Sequence, residues 1–419
     1  MLPVLCRVAI CALVAFGVFL LVRRRRAVKG TGVAPSANGQ HAAKSEPRLP
    51  APLAVNPELV AEVQYLGLAA MSAFGEGANA DWSPDGQRVA FLRNAETTGF
   101  MDRGAQRTVF SVQGTGLWLA RSDGSDQRPL AQCVGSRSVS EMGWPTHPRW
   151  SPDGRSLACL FGQMLGGRVV ILNVATGKPA ELDYAATGLR WAPDGQSLAI
   201  VGCKQEVFPR PDGQLHVAVV GVRGQSFRSM AEVAHAELGD WSPDGTQLLY
   251  TTWERPAAYE EEVRARMDES RREGSALWVA KLDGSAACRV ATHAAGRGIW
   301  SPDGHWIAYR GDKAEPGLWR IALATQEREP VIQGPVRLAQ WARGGTVLFY
   351  LQDAGGRGTD LYLLRARDGQ KQQITTSGNV VEALASPDGR HVVALAVDQA
   401  ANAPYRDTYL LALKGNAAP

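Results

Sequence analysis

Three histidines stand a few residues ahead of tryptophans: His147 by three, His235 by six and His293 by seven. Imidazoles gathered from separate strands are common ligands of a transition metal, which would serve lyase or hydrolase chemistry. The offsets are unequal, so the three need not point at one spot. They read as exposed loop histidines, and no metal site is expected. A second set is acidic: Asp85, Asp153, Asp194, Asp244, Asp303 and Asp388 each lie between Pro and Gly. Paired carboxylates do general acid–base work when they converge. Here each is placed to cap its own turn, one per repeated unit, too far from the others to act together.

Cys133, Cys159, Cys203 and Cys288 have no Cys-x-x-Cys spacing and read as small buried hydrophobes. The sequence holds no Gly-x-Ser-x-Gly elbow, no His-Glu-x-x-His helix, no phosphate-binding glycine loop and no calcium loop. On these grounds no catalytic, cofactor-binding or metal-binding residue is assigned, and no cofactor is expected.

The elements that would position any such group come from one returning pattern. Trp82-Ser83-Pro84-Asp85-Gly86 recurs as Trp150-Ser151-Pro152-Asp153-Gly154, Trp191-Ala192-Pro193-Asp194-Gly195, Trp241-Ser242-Pro243-Asp244-Gly245 and Trp300-Ser301-Pro302-Asp303-Gly304. A worn copy, Trp341-Ala342-Arg343-Gly344-Gly345, and a copy without tryptophan, Ala385-Ser386-Pro387-Asp388-Gly389, complete seven. The steps between copies are 68, 41, 50, 59, 41 and 44 residues, a period that means a propeller or solenoid. Proline presets the turn, aspartate tolerates its third position and glycine closes it. A short apolar strand follows each turn, then a second that opens on an aromatic residue, as at Trp118, Trp278, Trp319, Tyr362 and Tyr409. With the strand running into each tryptophan and an outer strand beyond, each unit has four strands. One such sheet cannot bury both faces, so seven pack radially and close a ring.

These seven copies, covering residues 60–414, resemble the repeat of TolB-type β-propellers, which is also similar to the propeller domains of prolyl oligopeptidase and dipeptidyl peptidase enzymes. The resemblance implies the fold. It does not carry a role across, because TolB has an α/β domain ahead of its propeller and the peptidases have a hydrolase domain, and neither is seen here. Oligogalacturonate lyases are propellers of this kind that hold a metal with histidines, which implies a rival reading with His147, His235 and His293 at the channel mouth.

Charge is concentrated at the start. The formal net charge is +4, yet residues 1–29 hold six basic residues and no acidic one, leaving 39 basic against 41 acidic residues. The body is nearly neutral and has no nucleic-acid footprint. Residues 2–22 are apolar apart from Arg7 and end at Arg23-Arg24-Arg25-Arg26, which reads as an uncleaved transmembrane helix with a stop-transfer signal. The arginines favour a cytoplasmic propeller, and the family resemblance admits a periplasmic one.

The expected organisation is an all-β, seven-bladed propeller over 55–419, a membrane anchor at 1–28 and a flexible linker at 29–54. Residues 62–68 are expected to complete the seventh blade. Residues 254–273 carry acid-first i, i+4 pairs and a stripe of Tyr259, Val263 and Met267, which predicts a solvated helix. Tight turns share one face of the ring, whereas long connections, among them 94–115, open on the other. The expected function is a non-catalytic, membrane-anchored binding or scaffolding module, with a protein or polymer ligand on the long-loop face. The alternative is a metal-dependent lyase or hydrolase at the channel mouth.

Overall fold

The structure, a computed structural model, describes residues 50–415 except residue 51 and the stretches 70–78, 103–106, 133–143, 164–165, 205–214, 225, 255–273, 284, 354–357 and 398–405. Within it each Ser-Pro-Asp-Gly sequence makes the same reversal. In the first, Ser83 Oγ donates to Asp85 Oδ1 at 2.5 Å and accepts the Arg88 N–H at 2.9 Å, while Gly86 N–H donates to the Ser83 carbonyl at 2.8 Å. Asp85 also accepts the Gln87 N–H at 3.0 Å. The closing glycines, from Gly86 to Gly389, have φ between 63° and 72°, the left-handed region that costs glycine least.

These reversals join the first two strands of each blade. The chain begins with β1 (Val60–Ala69). Blade 1 is then β2 (Ala80–Trp82), β3 (Arg88–Asp102), β4 (Arg107–Arg121) and β5 (Arg128–Gln132). Blade 2 is β6 (Trp144–Trp150), β7 (Ser156–Gln163), β8 (Gly166–Asn173) and the first half of β9 (Pro179–Trp191). The second half of β9 opens blade 3, with β10 (Ser197–Lys204), β11 (Leu215–Gly221) and β12 (Phe227–Val233). Blade 4 is β13 (Ala236–Trp241), β14 (Gln247–Thr252), β15 (Ala276–Lys281) and β16 (Cys288–Thr292). Blade 5 is β17 (Ala294–Trp300), β18 (Trp306–Gly311), β19 (Gly317–Ala322) and β20 (Arg328–Gln333). Blade 6 is β21 (Val336–Ala342), β22 (Val347–Asp353), β23 (Thr359–Arg365) and β24 (Lys371–Gln373). Blade 7 is β25 (Val380–Ala385), β26 (His391–Val397) and β27 (Arg406–Leu413), with β1 as its outer strand, all antiparallel.

The core is a ring of seams. Seven apolar clusters each straddle one pair of successive blades. Ala90, Leu92 and Leu117 of blade 1 pack on Trp150 and Leu157 of blade 2, for example, and Val393 and Leu410 of blade 7 on Trp82 and Phe91 of blade 1. Polar latches accompany them. The indole N–H groups of Trp82, Trp150 and Trp191 donate to the carbonyls of Leu384, Asp81 and Arg149, each in the inner strand of the preceding blade, at 2.9, 3.2 and 2.9 Å. Blade 7 has Ala385 where the others have tryptophan. There Gln340 supplies the latch, its amide donating to the Ala385 carbonyl and accepting the Ala385 N–H, at 3.1 and 3.0 Å.

The ring closes as the sequence predicts, by pairing of β1 with β27 from Val60↔Leu413 to Ala69↔Arg406. Other expectations meet a different outcome. Residues 94–115 are not an irregular loop, because β3 and β4 continue as a paired ribbon to Asp102↔Arg107. The anchor at 1–28, most of the linker at 29–54 and nearly all of the 254–273 insertion lie outside the described residues. Among the described residues no helix is long and apolar enough to cross a membrane.

Candidate functional site

The first strand of each blade adjoins its neighbour around the axis, β2 beside β6, β6 beside β9, β9 beside β13, β13 beside β17, and β25 beside both β21 and β2. These strands therefore surround the channel. Bulges interrupt their pairing: two residues of β6 (147 and 148), two of β13 (239 and 240) and three of β17 (296–298) stand opposite a single partner residue. A bulge bends the strand and re-aims its side chains, which suits the rim of a site. Gly239 permits close approach of blades 4 and 5, since a Cβ there would lie 2.7 Å from the Gly298 carbonyl oxygen.

Taken in order around the ring, blades 1 to 7 contribute Asp81, Arg149, Arg190, Asp240, Arg297, Gln340 and Glu382. Asp81, Arg190, Asp240, Arg297 and Gln340 keep partial solvent contact, while Arg149 and Glu382 are buried. Three arginines and three carboxylates of the inner strands thus stand around the channel. Their mutual fields are strong: Arg149 feels Asp81, Arg297, Glu382 and Asp240, and Arg190 feels Arg149, Arg297, Asp240 and Asp81.

Each group is held differently. Asp81 accepts the Trp150 backbone N–H at 2.7 Å. Burial raises its carboxyl above the usual aspartate range, against the pull of Arg149, the Trp150 N–H, Arg190 and Arg297. Glu382 accepts Asn79 Nδ2 at 2.7 Å and faces Arg406 Nη1 at 3.6 Å, tying blade 7 to blade 1. Arg149 donates to the Pro148 carbonyl at 2.7 Å and Arg190 to the Leu189 carbonyl at 3.2 Å. Burial holds the Arg149 and Arg190 guanidiniums below their ordinary range, Arg190 well below it. Arginine keeps its proton in proteins, so both groups stay charged despite their burial.

The motif had flagged none of these residues. The signal was present, however: the residue directly before the motif tryptophan is Asp81, Arg149, Arg190 and Asp240 in four successive copies.

The histidines do not come together. His147 lies inside β6 with φ 53° and its Nδ1 is 3.1 Å from Thr146 Oγ1. His235 is buried, not exposed, and stacks on Trp253 with ring centroids 5.6 Å apart. His293 is half exposed and pairs with Asp312 at 3.1 Å. Among the described residues no group of three or more His, Cys, Asp or Glu side chains could hold a metal ion. Cys159 and Cys203 are buried as expected, whereas Cys288 is exposed on an outer strand.

The geometry defines a propeller with a charged central channel. No family model and no curated protein matches the chain. Solved structures do. A manganese complex of oligogalacturonate lyase is 14% identical, with a TM-score of 0.57 over 88% of this chain and 98% of that one. Oligogalacturonate lyase from Vibrio parahaemolyticus is 12% identical, with the same TM-score and coverage. The propeller domain of the Trilobed protease from Pyrococcus furiosus is 13% identical, with a TM-score of 0.51 over 82% of this chain and 94% of that one. Together with the repeat, these likenesses show the fold to be a β-propeller.

They also correct the expectation of a non-catalytic scaffold. That reading rested on the lack of an appended catalytic domain and of familiar motifs. Two lyase structures align with this chain over 98% of their own length, so a propeller of this extent can be an enzyme without either.

Proposed function

We propose that the protein is an enzyme whose reaction takes place in the propeller channel, on an oligosaccharide that bears carboxylates, by elimination. The carrying observation is the enclosed arginine cluster beside Asp81, a carboxylate whose acidity burial weakens. A uronate carboxylate bound by guanidinium forks makes the neighbouring C–H more acidic, because the negative charge that develops on its oxygens is met by fixed positive charge. Asp81 takes that proton, the new carbon–carbon double bond forms, and the glycosidic C–O bond breaks as the leaving sugar oxygen picks up a proton from water in the channel, to which Asp81 later returns its own. A base with a raised pKa is better matched to the task near neutral pH than an ordinary aspartate. The lyases of like fold act on oligogalacturonate, which is such a substrate. The manganese bound to one of them has no matching ligand set among the described residues here, and no step is assigned to a metal.

The test is turnover of oligogalacturonate against a neutral oligosaccharide of equal length, followed by the ultraviolet absorbance of the new double bond. Asp81→Asn should lower kcat by about a hundredfold or more. Absence of turnover on any acidic oligosaccharide, or full activity in Asp81→Asn, would refute the reading.

Two further parts of the proposal concern placement. The apolar run at 2–22 with its arginine stop supports an N-terminal membrane anchor, which intact-mass measurement of the membrane fraction would check. The ligand approaches from the long-loop face, because Arg297 and Glu382 sit two residues nearer that end of their strands than the residue preceding the motif tryptophan.

A further inference from the structure

Arg190 is the channel group whose charge is least answered. Its hydrogen bond goes to the Leu189 carbonyl of its own strand, and it forms no ion pair among the described residues. Arg149 and Arg297 repel it more strongly than Asp240 and Asp81 attract it. Two of the three carboxylates nearby are already engaged, Asp81 with the Trp150 N–H and Glu382 with Asn79 and Arg406, which leaves Asp240 alone against three guanidiniums. A guanidinium repelled by two others and without an ion pair of its own, in a space that still admits solvent, favours an anion.

Among the described residues the same channel offers no ligand set for a divalent cation. His147, His235 and His293 occupy separate niches in blades 2, 4 and 5, and one of them is spent on stacking and another on Asp312. No other set of His, Cys, Asp and Glu among the described residues gathers for the purpose. A divalent cation would moreover enter beside three like charges. A planar guanidinium fork, by contrast, offers two parallel donors to two oxygens of one group, and needs no metal to bridge them.

We propose that Arg149, Arg190 and Arg297 form an oxyanion-binding site that works without a divalent cation, and that takes a carboxylate or an equivalent inorganic oxyanion. The inference deepens the reading of the channel as the working site, but it does not depend on the elimination taking place.

The experiment is calorimetric titration of sodium sulfate into the chelator-treated full chain, repeated with manganese added. About one sulfate should bind per chain, equally well in both cases. Arg190→Gln and Arg297→Gln should each weaken binding at least tenfold, while Lys178→Gln, on an outer turn of blade 2, should not. Arg190→Gln should stay folded by circular dichroism and melt no lower than the parent, since it removes an unanswered charge, yet sulfate should no longer raise its melting temperature. Sulfate binding that appears only with manganese, or that survives both arginine changes, would overturn the proposal. D-Galacturonate is the second probe. If it displaces sulfate, the site takes the substrate carboxylate. If it does not, the elimination reading fails while the inorganic anion site stands.

Discussion

Asp85, Asp153, Asp244 and Asp303 each accept a serine hydroxyl first and a backbone N–H besides, and these bonds hold their carboxyls below the usual aspartate range. Asp81, a few residues from one of them, goes the other way because it is buried. The two kinds have opposite linkage to pH. A lowered carboxyl contributes stability that is present above the unfolded value, about 3.9, and is lost as pH falls through the folded value beneath it. A raised one favours the fold only while protonated, and that contribution disappears as pH rises through its folded value. The turns outnumber Asp81, so the melting temperature should fall as pH is lowered from about 5 to about 3. A variant with Ser83, Ser151, Ser242 and Ser301 all changed to alanine should show a shallower fall, read by scanning calorimetry across that range. Equal slopes would mean the serine–aspartate bonds do not set the acid limb. At this scale the turn residues were legible because local chemistry dictates them. Asp81, Arg149 and Arg190 share the position before the motif tryptophan, but what makes them a site is their meeting across blades, which no single repeat contains.

The strand that closes the ring was legible for a physical reason: the seventh unit lacked an outer strand, and residues 62–68 were strand-like with no partner. In the structure β1 buries Val60 and Leu66, and Leu59 just before it, between blades 6, 7 and 1, while the Leu59 carbonyl accepts the Lys414 N–H at 2.8 Å. Fully burying three such side chains is worth about 1.5–3 kcal/mol each, which is comparable to a domain's whole stability of about 5–15 kcal/mol. Removing residues 1–70 should therefore unfold the propeller or leave it aggregated through the bared edge of β27, whereas a protein beginning at residue 50 should melt as the full chain does. Equal melting temperatures for the two truncations would show that β1 is dispensable. Less of the rest was readable. The double use of β9 is hidden because Tyr184 and Ala185 at its midpoint look like any strand interior. The bulges of β6, β13 and β17 depend on contacts with the next blade, which no single repeat contains.

For the whole molecule, the ring itself was written in the period of seven copies, while the channel was not, because its charges come from positions 81 to 382 and meet only after closure. The two faces fall between these cases. Short turns on one end follow from Ser-Pro-Asp-Gly, but the long connection 94–115 read as irregular and is a ribbon. Its pairs continue from Asn94↔Thr115 to Asp102↔Arg107, whereas the matching pair of blade 4 ends at Thr252↔Ala276. Eight further residues at about 3.3 Å each carry it some 25 Å past the blade, on the long-loop face of blade 1, the blade that carries Asp81. On the proposed reading, a ribbon of that reach would touch the parts of a polymer that lie outside the channel and leave the bound unit alone. Replacing residues 97–112 with an Asn-Gly turn between Glu96 and Gln113 should keep the blade intact, because the turn suits a two-residue hairpin. The shortened protein should melt within a few degrees of the parent and bind sulfate in the channel unchanged. Its KM for a long acidic oligosaccharide should rise about tenfold, with kcat and the KM for a dimer held, which is the signature of lost uniform binding. If long and short substrates are affected alike, the polymer lies across the short-turn face and the ligand reaches the arginines from the other end.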